Sequence, residues 1–307
     1  MCAELLLITA GKYESDWAFR RYETVRHRLP QARFPAHTQS VDGLLELAQW
    51  FDTFLLDAFG VLNVGETVIA SALRAVASLQ SQGKRVLVLT NGATFPAEVA
   101  RMKFKRLGFN FARGDIVSSR DALCQTLRGR NGRWGVMGTR ASQLKSLPVD
   151  CTLLLDDIEV YNTATGFILL STIEWTRAQQ DRLLTSLRRN PRPVYVGNPD
   201  LVAPRESGLT LEPGHYAHVL ADATGVTPQF CGKPFGNVFD LALSRLQNPD
   251  PARIVMVGDS LHTDILGGAA YGLKTALVTG HGLFAGRDVR DYTEQSGIVP
   301  DFTMTSP

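Results

Sequence analysis

Short apolar runs alternate with longer amphipathic segments from about residue 51 onward. Four of the runs predict strands, at residues 54–56, 86–89, 254–257 and 275–278. Helical patterns at residues 70–82 and 97–107 each stop at a glycine. Strands that are apolar on consecutive residues are expected when helices cover both faces of a parallel sheet. The pattern therefore predicts a doubly wound α/β core.

A second group of strand patterns lies in the middle of the chain, at residues 134–137, 152–155, 165–171 and 194–196, with a helical pattern at 175–189. Turn-forming residues cluster on both sides of this group, at 129–132 and 225–232. We therefore predict an α/β insertion at residues 133–228, within a core made by residues 1–132 and 229–307. The first 50 residues contain helical patterns at 17–28 and 41–50, which indicate no chemistry.

Composition excludes several classes of protein. The 307 residues are 44% hydrophobic and 20% charged, which is typical of a soluble globular protein. The net charge of +2 and the absence of a lysine/arginine block argue against a nucleic-acid partner. The apolar run at residues 5–8 is too short for a signal peptide, and no stretch approaches the roughly 20 residues that span a bilayer.

Cysteine spacing adds to this picture. The four cysteines are widely spread and form no C-x-x-C pair, so neither a zinc site nor a disulfide framework is indicated. We expect a cytoplasmic protein with no membrane partner.

Polar residues follow three of the predicted core strands. They are Asp57, Thr90 and, after Gly258, Asp259. Ligands collect at the carboxyl ends of parallel strands, so these side chains should meet in one crevice. Two neighbouring carboxylates repel each other unless a cation intervenes, and Mg²⁺ favours carboxylate and phosphate oxygens. An aspartate after a strand is also a common helix N-cap, and each residue taken alone fits that interpretation.

The residues around these positions form four ordered blocks. Asp57 is followed by Gly60-Val61-Leu62, Thr90 by Asn91-Gly92, Lys233 lies between Gly232 and Pro234, and Asp259 begins the segment Asp259-Ser260-Leu261-His262-Thr263-Asp264. Together the blocks resemble the four motifs of the haloacid dehalogenase-like superfamily, whose members form a covalent intermediate on an aspartate. Their order and spacing make the resemblance specific, whereas each block alone would be weak.

The resemblance implies a nucleophile and a metal site. Asp57 would attack phosphorus, and its carboxylate, the backbone carbonyl of Phe59 and Asp259 would hold Mg²⁺. Asp264 would support the site, with a buried structural acid as the alternative. His262, between the two acids, is expected to face solvent.

The resemblance also implies a phosphate site. Thr90 would bind the transferring phosphoryl group, and the amides of Asn91 and Gly92 would add donors near a helix start. Lys233 would neutralise charge on the phosphoryl group and on Asp57. The alternative for Lys233 is a solvated surface lysine, which its glycine and proline neighbours disfavour.

The position of the insertion indicates a branch of the superfamily. The interval from Asp57 to Thr90 has room for one crossover, whereas the interval from Thr90 to Lys233 holds the insertion. This arrangement resembles class IIA, with a C2-type cap, which includes p-nitrophenyl phosphatase-like and pyridoxal phosphatase-like enzymes. It implies hydrolysis of a small phosphorylated metabolite and is compatible with a homodimer.

The cap offers few specific candidates. Asn198 and Asp200 would lie near the leaving group, although Asn-Pro-Asp is also an ordinary turn. Trp175, Tyr161 and Arg205 are candidates for ligand contact, although such residues more often serve packing or lie on the surface.

Phe59 departs from the class IIA pattern. These phosphatases usually carry a second aspartate there, which protonates the leaving oxygen and then activates water. A phenyl ring transfers no proton, and loss of general acid–base help typically costs about 10²–10⁴-fold in rate.

Three hypotheses follow from this departure. The first is a phosphatase that is slow, prefers good leaving groups or uses another acid. The second is a phospho-ligand binding or regulatory protein that keeps the pocket without turnover. The third is a dehalogenase-type hydrolase, suggested by Asp57-Ala58-Phe59-Gly60. Dehalogenases, however, place their insertion between the first two motifs and do without the metal that Asp259 suggests.

Overall fold

Two parallel sheets organise the chain. The computed structural model describes residues 14–205 and 208–307, so the apolar run at residues 5–8 and Cys2 lie outside the described residues. The strands, in chain order, are β1 (Gln39–Ser40), β2 (Thr53–Leu56), β3 (Asn63–Val64), β4 (Thr67–Val68), β5 (Arg85–Thr90), β6 (Ile116–Ser118), β7 (Arg133–Met137), β8 (Asp150–Leu153), β9 (Gly166–Leu169), β10 (Val194–Val196), β11 (Val202–Arg205), β12 (Gly208–Leu211), β13 (Gln229–Phe230), β14 (Ile254–Gly258), β15 (Lys274–Val278) and β16 (Phe302–Met304).

Helices connect these strands. In chain order they are α1 (Ser15–Val25), α2 (Leu44–Leu47), α3 (Ala70–Ser81), α4 (Ala97–Arg106), α5 (Ser119–Leu127), α6 (Ile158–Thr163), α7 (Arg177–Arg189), α8 (Pro213–Thr224), α9 (Gly236–Leu243), α10 (Leu266–Ala270) and α11 (Val289–Ser296). A short π-helical turn, Leu261–Ile265, precedes α10. None of the helices within the described ranges combines the length and apolar character needed to cross a bilayer.

The larger sheet has the order β1-β16-β15-β14-β2-β5-β6 within the described residues, and all its neighbouring strands are parallel. Phe54 and Leu56 of β2 pack into one apolar cluster, and Leu55 between them packs into another. Both faces of the sheet are therefore covered, as the consecutive apolar residues predict. The predicted α/β core is confirmed.

The smaller sheet has the order β13-β10-β9-β7-β8 in the described part of the chain, and it is also parallel. Trp134, Ile168 and Tyr195 on one face share an apolar cluster with Leu123 and Val238, next to the larger sheet. Strand β13 lies just beyond the predicted end of the insertion at residue 228. The division of the chain into three segments stays a prediction.

Local sequence explains where the helices begin and end. Helix α5 starts with a reciprocal pair, in which Ser118 Oγ accepts from Asp121 N and Asp121 Oδ2 accepts from Ser118 N. Helix α3 ends before Gly83, whose φ of 75° is a left-handed conformation that glycine adopts at little cost. The pattern at residues 41–50 predicts too long a helix, because α2 covers only Leu44–Leu47.

Helix α1 packs across both sheet regions. Its buried face consists of Ala18, Phe19, Tyr22 and Val25, a spacing that lines one side of a helix. Phe19 joins an apolar cluster with residues of the larger sheet region, including Leu261 and Tyr292. On the other side, Arg21 Nη2 lies 3.4 Å from Asp222 Oδ2 on α8. The helix therefore contacts the core and the insertion together.

Candidate active site

The ends of two neighbouring strands bring the predicted acids together. Asp57 follows β2 and Asp259 follows β14, and these strands lie side by side in the sheet. The backbone N–H of Asp57 donates to Val257 O at 2.9 Å, which continues the ladder up to the site. Carboxylate oxygens of Asp57, Asp259 and Asp264 all lie within 4.8 Å of one another. The convergence predicted from the strand ends is thus present in the structure.

Lys233 is buried at this cluster. Its Nζ lies 2.6 Å from Asp57 Oδ1 and 2.7 Å from Asp264 Oδ1, and its side chain is 2% exposed. The alternative of a solvated surface lysine is therefore wrong. Burial lowers the pKa of Lys233, but the carboxylates of Asp264 and Asp57 outweigh burial and hold this pKa above its ordinary value. The ammonium stays charged, and it offsets part of the negative charge.

Burial raises the pKa values of Asp259 and Asp264 in the acidic cluster. Burial raises the pKa of Asp264 to about 6, with Lys233 opposing this shift and Asp57 adding to it. Burial, followed by the charges of Asp264 and Asp57, raises the pKa of Asp259 well above its ordinary value. Three carboxylates face a single ammonium among the described residues, so negative charge is in excess. Hard oxygen donors with excess negative charge fit a divalent cation.

Backbone geometry holds Asp259 in place. Its Oδ2 accepts a hydrogen bond from Leu283 N at 2.7 Å. Gly60 adopts a φ of 76°, and a Cβ there would lie 2.5 Å from Asp259 Oδ2, so only glycine lets the turn after β2 approach this carboxylate. Phe59 lies in the same turn, and the predicted role of its carbonyl stays a prediction.

Asn91 links the predicted phosphate site to Lys233. Its Oδ1 accepts from Lys233 N at 2.8 Å, and its Nδ2 donates to Lys233 O at 2.9 Å. Thr90 Oγ1 accepts from Gly92 N at 3.1 Å, which fixes the hydroxyl beside that amide. Thr90, Asn91 and Gly92 all line the same cavity as Asp57.

The Asn-Pro-Asp segment also reaches the site. Asp200 Oδ1 accepts from Asn91 Nδ2 at 2.7 Å, and Asp200 N donates to Asn198 Oδ1 at 3.0 Å. Asn198 Nδ2 in turn donates to Glu212 Oε2 at 3.1 Å. Burial raises the pKa of Asp200 to about 8, opposed by Lys233. The structure therefore brings both predicted residues of this segment to the site.

A cavity of about 350 Å³ opens above these residues, a size suited to a small metabolite. Its walls include residues that the sequence did not single out, such as Tyr22, Phe95, Lys103 and Glu212, as well as Arg205. Of the other cap candidates, Trp175 and Tyr161 are buried in the apolar cluster of the insertion.

His262 is fully buried, so the expectation that it faces solvent is wrong. Its Nε2 lies 2.5 Å from Glu23 Oε1, and the Tyr22 ring stacks on its ring at a centroid distance of 4.8 Å. Tyr22 also accepts a hydrogen bond from Leu201 N at 3.0 Å. Helix α1 thereby joins the segment that carries Asp259 to the segment that carries Asp200.

Two family models match the chain. One, described as haloacid dehalogenase-like hydrolase, matches residues 54–147, and the other, described as HAD-hydrolase-like, matches residues 230–304. The first segment contains Asp57 and Thr90, and the second contains Lys233 and Asp259. The matches therefore cover all four motifs.

Individual proteins are similar over most of the chain. A glycerol-3-phosphate phosphatase of Homo sapiens is 30% identical over 290 residues, covering 83% of this chain and 88% of that protein. An acid sugar phosphatase of Staphylococcus aureus is 26% identical over 225 residues, covering 73% of this chain and 85% of that protein. A crystal structure from Cytophaga hutchinsonii, described as a possible sugar phosphatase of the HAD superfamily, has a TM-score of 0.77 at 25% identity, covering 88% and 98% of the two chains.

Proposed function

The chain belongs to the haloacid dehalogenase-like hydrolases, and we propose that it is a phosphatase that hydrolyses a small phosphorylated metabolite through an intermediate on Asp57. The observation that carries this proposal is the ion pair between Lys233 Nζ and Asp57 Oδ1, inside a cluster of three carboxylates. The relatives described above are named as phosphatases, which supports the same reaction class.

The proposed reaction has two steps. Asp57 Oδ attacks phosphorus in line, the bond from phosphorus to the ester oxygen breaks, and a phosphate–carboxylate anhydride forms on Asp57. Water then attacks phosphorus, releases phosphate and regenerates the carboxylate. Lys233 Nζ, 2.6 Å from Asp57 Oδ1, and the Thr90 hydroxyl, which belongs to the same cavity lining, would hold the phosphoryl oxygens during both steps.

Asp57, Asp259 and the Phe59 carbonyl are the groups that would hold Mg²⁺ in this proposal. When bound, the ion would neutralise negative charge between the carboxylates and the phosphate. Asp264 keeps Lys233 in position, since its Oδ1 lies 2.7 Å from the Lys233 Nζ, and Ser260 N holds its other oxygen at 3.1 Å.

Phe59 favours one second candidate, a phospho-ligand binding or regulatory protein without turnover. At this position an aspartate would donate a proton to the leaving oxygen, and the phenyl ring donates none. Good leaving groups need no proton, so the phosphatase hypothesis keeps aryl phosphates among its substrates. The dehalogenase hypothesis has no comparable support, because the insertion follows Thr90 and because the acidic cluster fits a divalent cation.

Phosphate release distinguishes the two candidates. The native protein, Asp57→Asn and the matched surface variant Asp156→Asn would be assayed on p-nitrophenyl phosphate and on sugar phosphates, with Mg²⁺ or chelator. We expect chelator-sensitive release by the native protein and by Asp156→Asn, and none by Asp57→Asn. Activity retained in Asp57→Asn would exclude this nucleophile, and a native protein that binds these esters without release would favour the binding protein.

A further inference from the structure

Two cationic groups lie against the ring of Phe59. Lys103 Nζ is 5.0 Å from the ring centroid, and Arg205 Cζ is 5.3 Å from it. Lys103 belongs to α4 and Arg205 to β11, so the two cations come from separate parts of the chain. All three side chains line the cavity that contains Asp57. The cavity therefore has a cluster of carboxylates at the strand termini and, around Phe59, two cations that are each paired with a glutamate.

Lys103 keeps donor capacity beyond its present contacts. Its Nζ donates to Gly65 O at 3.1 Å and to Glu66 Oε1 at 2.8 Å. An ammonium has three N–H groups, so one remains without an acceptor among the described residues. Glu66 is 73% exposed, which makes this ion pair weak and exchangeable for another anion.

Arg205 has the same property. Its Nε and Nη2 donate to Thr210 and Glu212, and the structure records no partner for Nη1 within residues 14–205 and 208–307. Glu212 is largely buried and also accepts from Asn198, so it fixes the guanidinium in the cavity wall. A guanidinium held on one edge still presents its other edge to a ligand.

We propose that Lys103 and Arg205, which both lie at the ring of Phe59, form a subsite for a second anionic group of the substrate. This rests on the proposed function, because it assumes that the reacting phosphate lies at Asp57. The rest of such a substrate would occupy the remaining cavity, whose wall includes Phe59, Lys103 and Arg205. Arg106 lines the same cavity and adds positive charge at its edge.

The chemistry of the subsite defines a class of substrate. A carboxylate or a second phosphate offers two or three oxygens that the N–H groups of a lysine and an arginine can share. The substrate is therefore a phosphate monoester that carries a second anionic group on its leaving portion. A carboxylate and a phosphate use the same donors, so the experiment must contain both.

Binding to the Asp57→Asn protein, which turns over no ester in the proposed reaction, isolates the subsite from catalysis. Dissociation constants would be measured by calorimetry with Mg²⁺ for three ligands on one carbon skeleton: glycerol 3-phosphate, 3-phosphoglycerate and glycerol 1,3-bisphosphate. We expect at least one of the doubly anionic ligands to bind about tenfold or more tightly than glycerol 3-phosphate, since charge-assisted bonds are the strong ones. Which of the two binds better identifies the second group.

Lys103→Met in the same background should reduce this preference to less than about threefold, because it removes one of two cations. Lys105→Met is the matched control, since Lys105 lies on the same helix, is exposed and does not line the cavity. It should leave the preference unchanged. Arg205→Met should act like Lys103→Met.

Equal affinity for all three ligands, or a preference that survives both Lys103→Met and Arg205→Met, would overturn the subsite. Failure to bind any of them would overturn it as well. Phosphate release by the native protein tests the proposed function separately. Phosphate release without a binding preference would refute only the proposed subsite. A binding preference without phosphate release would refute the proposed hydrolase activity and support the subsite.

Discussion

Phe59→Asp tests whether the missing proton donor controls the choice of substrate. In the native protein nothing at position 59 protonates the leaving oxygen, so the rate should fall steeply as the leaving group becomes more basic. The variant places a carboxyl in the same turn, within the cavity that Asp57 lines. This carboxyl should speed the hydrolysis of alkyl phosphates. It should not speed the hydrolysis of p-nitrophenyl phosphate, which releases a stable anion.

The size of the gain depends on the two cations near position 59. A general acid is worth about 10²–10⁴-fold. The centroid of the present ring lies 5.0 Å from Lys103 Nζ and 5.3 Å from Arg205 Cζ. Charges about 5 Å apart at an effective dielectric of about 20 interact by roughly 3 kcal/mol, or about 2 pKa units. Partial exposure makes this interaction smaller. Both cations still lower the pKa of a new carboxyl, so a smaller fraction of it carries a proton at the pH of the assay.

We therefore expect about a 10²-fold gain, at the lower end of the range for a general acid. The assay is kcat/KM for glycerol 3-phosphate and p-nitrophenyl phosphate with Mg²⁺. The first should rise about 10²-fold in Phe59→Asp, and the second should change by less than about threefold. Phe59→Asp with Lys103→Met should gain more, because one of the cations that keep the carboxyl ionised is gone.

Phe59→Leu is the matched control, since it removes the ring without adding a proton donor. The reasoning fails if Phe59→Leu raises alkyl phosphate turnover as much as Phe59→Asp does. It also fails if Phe59→Asp raises both substrates equally, because a general acid acts on the basic leaving group alone.

Three further predictions concern stability and metal binding. Lys233→Met should lower the free energy of unfolding by about 3–5 kcal/mol in metal-free urea titrations, because it leaves buried carboxylates without their cation. This loss of unfolding free energy should become smaller as the pH falls from 8 to 5. Asp264, whose pKa is raised to about 6, becomes protonated and neutral over that range. Tyr22→Phe should cost about 1–3 kcal/mol in the same titration, because Leu201 N loses its buried acceptor. Mg²⁺ should raise the urea midpoint of the native protein and not that of Asp259→Asn.

Surface variants provide the matched controls. Lys274→Met removes an exposed ion pair with Asp301 and should cost less than about 1 kcal/mol at either pH. Asp240→Asn removes an exposed acid that does not line the cavity and should keep the Mg²⁺-induced shift. A Lys233→Met deficit that is equal at pH 5 and pH 8 would contradict the electrostatic account of the cluster.

Much of the core could be predicted because its signals are local. The strands that end at Leu56, Thr90 and Gly258 are apolar on consecutive residues, and the polar residues that follow them converge by the geometry of a parallel sheet. The hydrogen bonds of Asn91 to Lys233 and Asp200 were not predictable in detail, because they join three separate segments. The four motif blocks nevertheless identified Asn91 and Lys233 as site candidates, and the Asn-Pro-Asp segment identified Asp200.

The N-terminal helix shows why other features escaped prediction. His262 lies between two acids in the sequence, a setting typical of a solvated segment, yet Glu23 pairs with it from 239 residues away. The helical pattern around Tyr22 predicted an amphipathic helix, but it did not indicate which residues the apolar face packs against. In the folded protein the Tyr22 ring stacks on His262, and the Tyr22 hydroxyl accepts a hydrogen bond from Leu201 N. This long-range packing makes a helix without evident chemistry part of the cavity wall.

Position 59 links the departure from the family pattern to the two cations beside its ring. An aspartate there would accept hydrogen bonds from Lys103 and Arg205 and would occupy the donors that an external anion needs. A phenyl ring makes favourable contacts with both cations through its π face and accepts none of their strong hydrogen bonds. Proton donation at this position and anion binding beside it therefore compete for the same two cations. The residue at position 59 decides which of the two the cavity supports, and phenylalanine favours the binding of an anion.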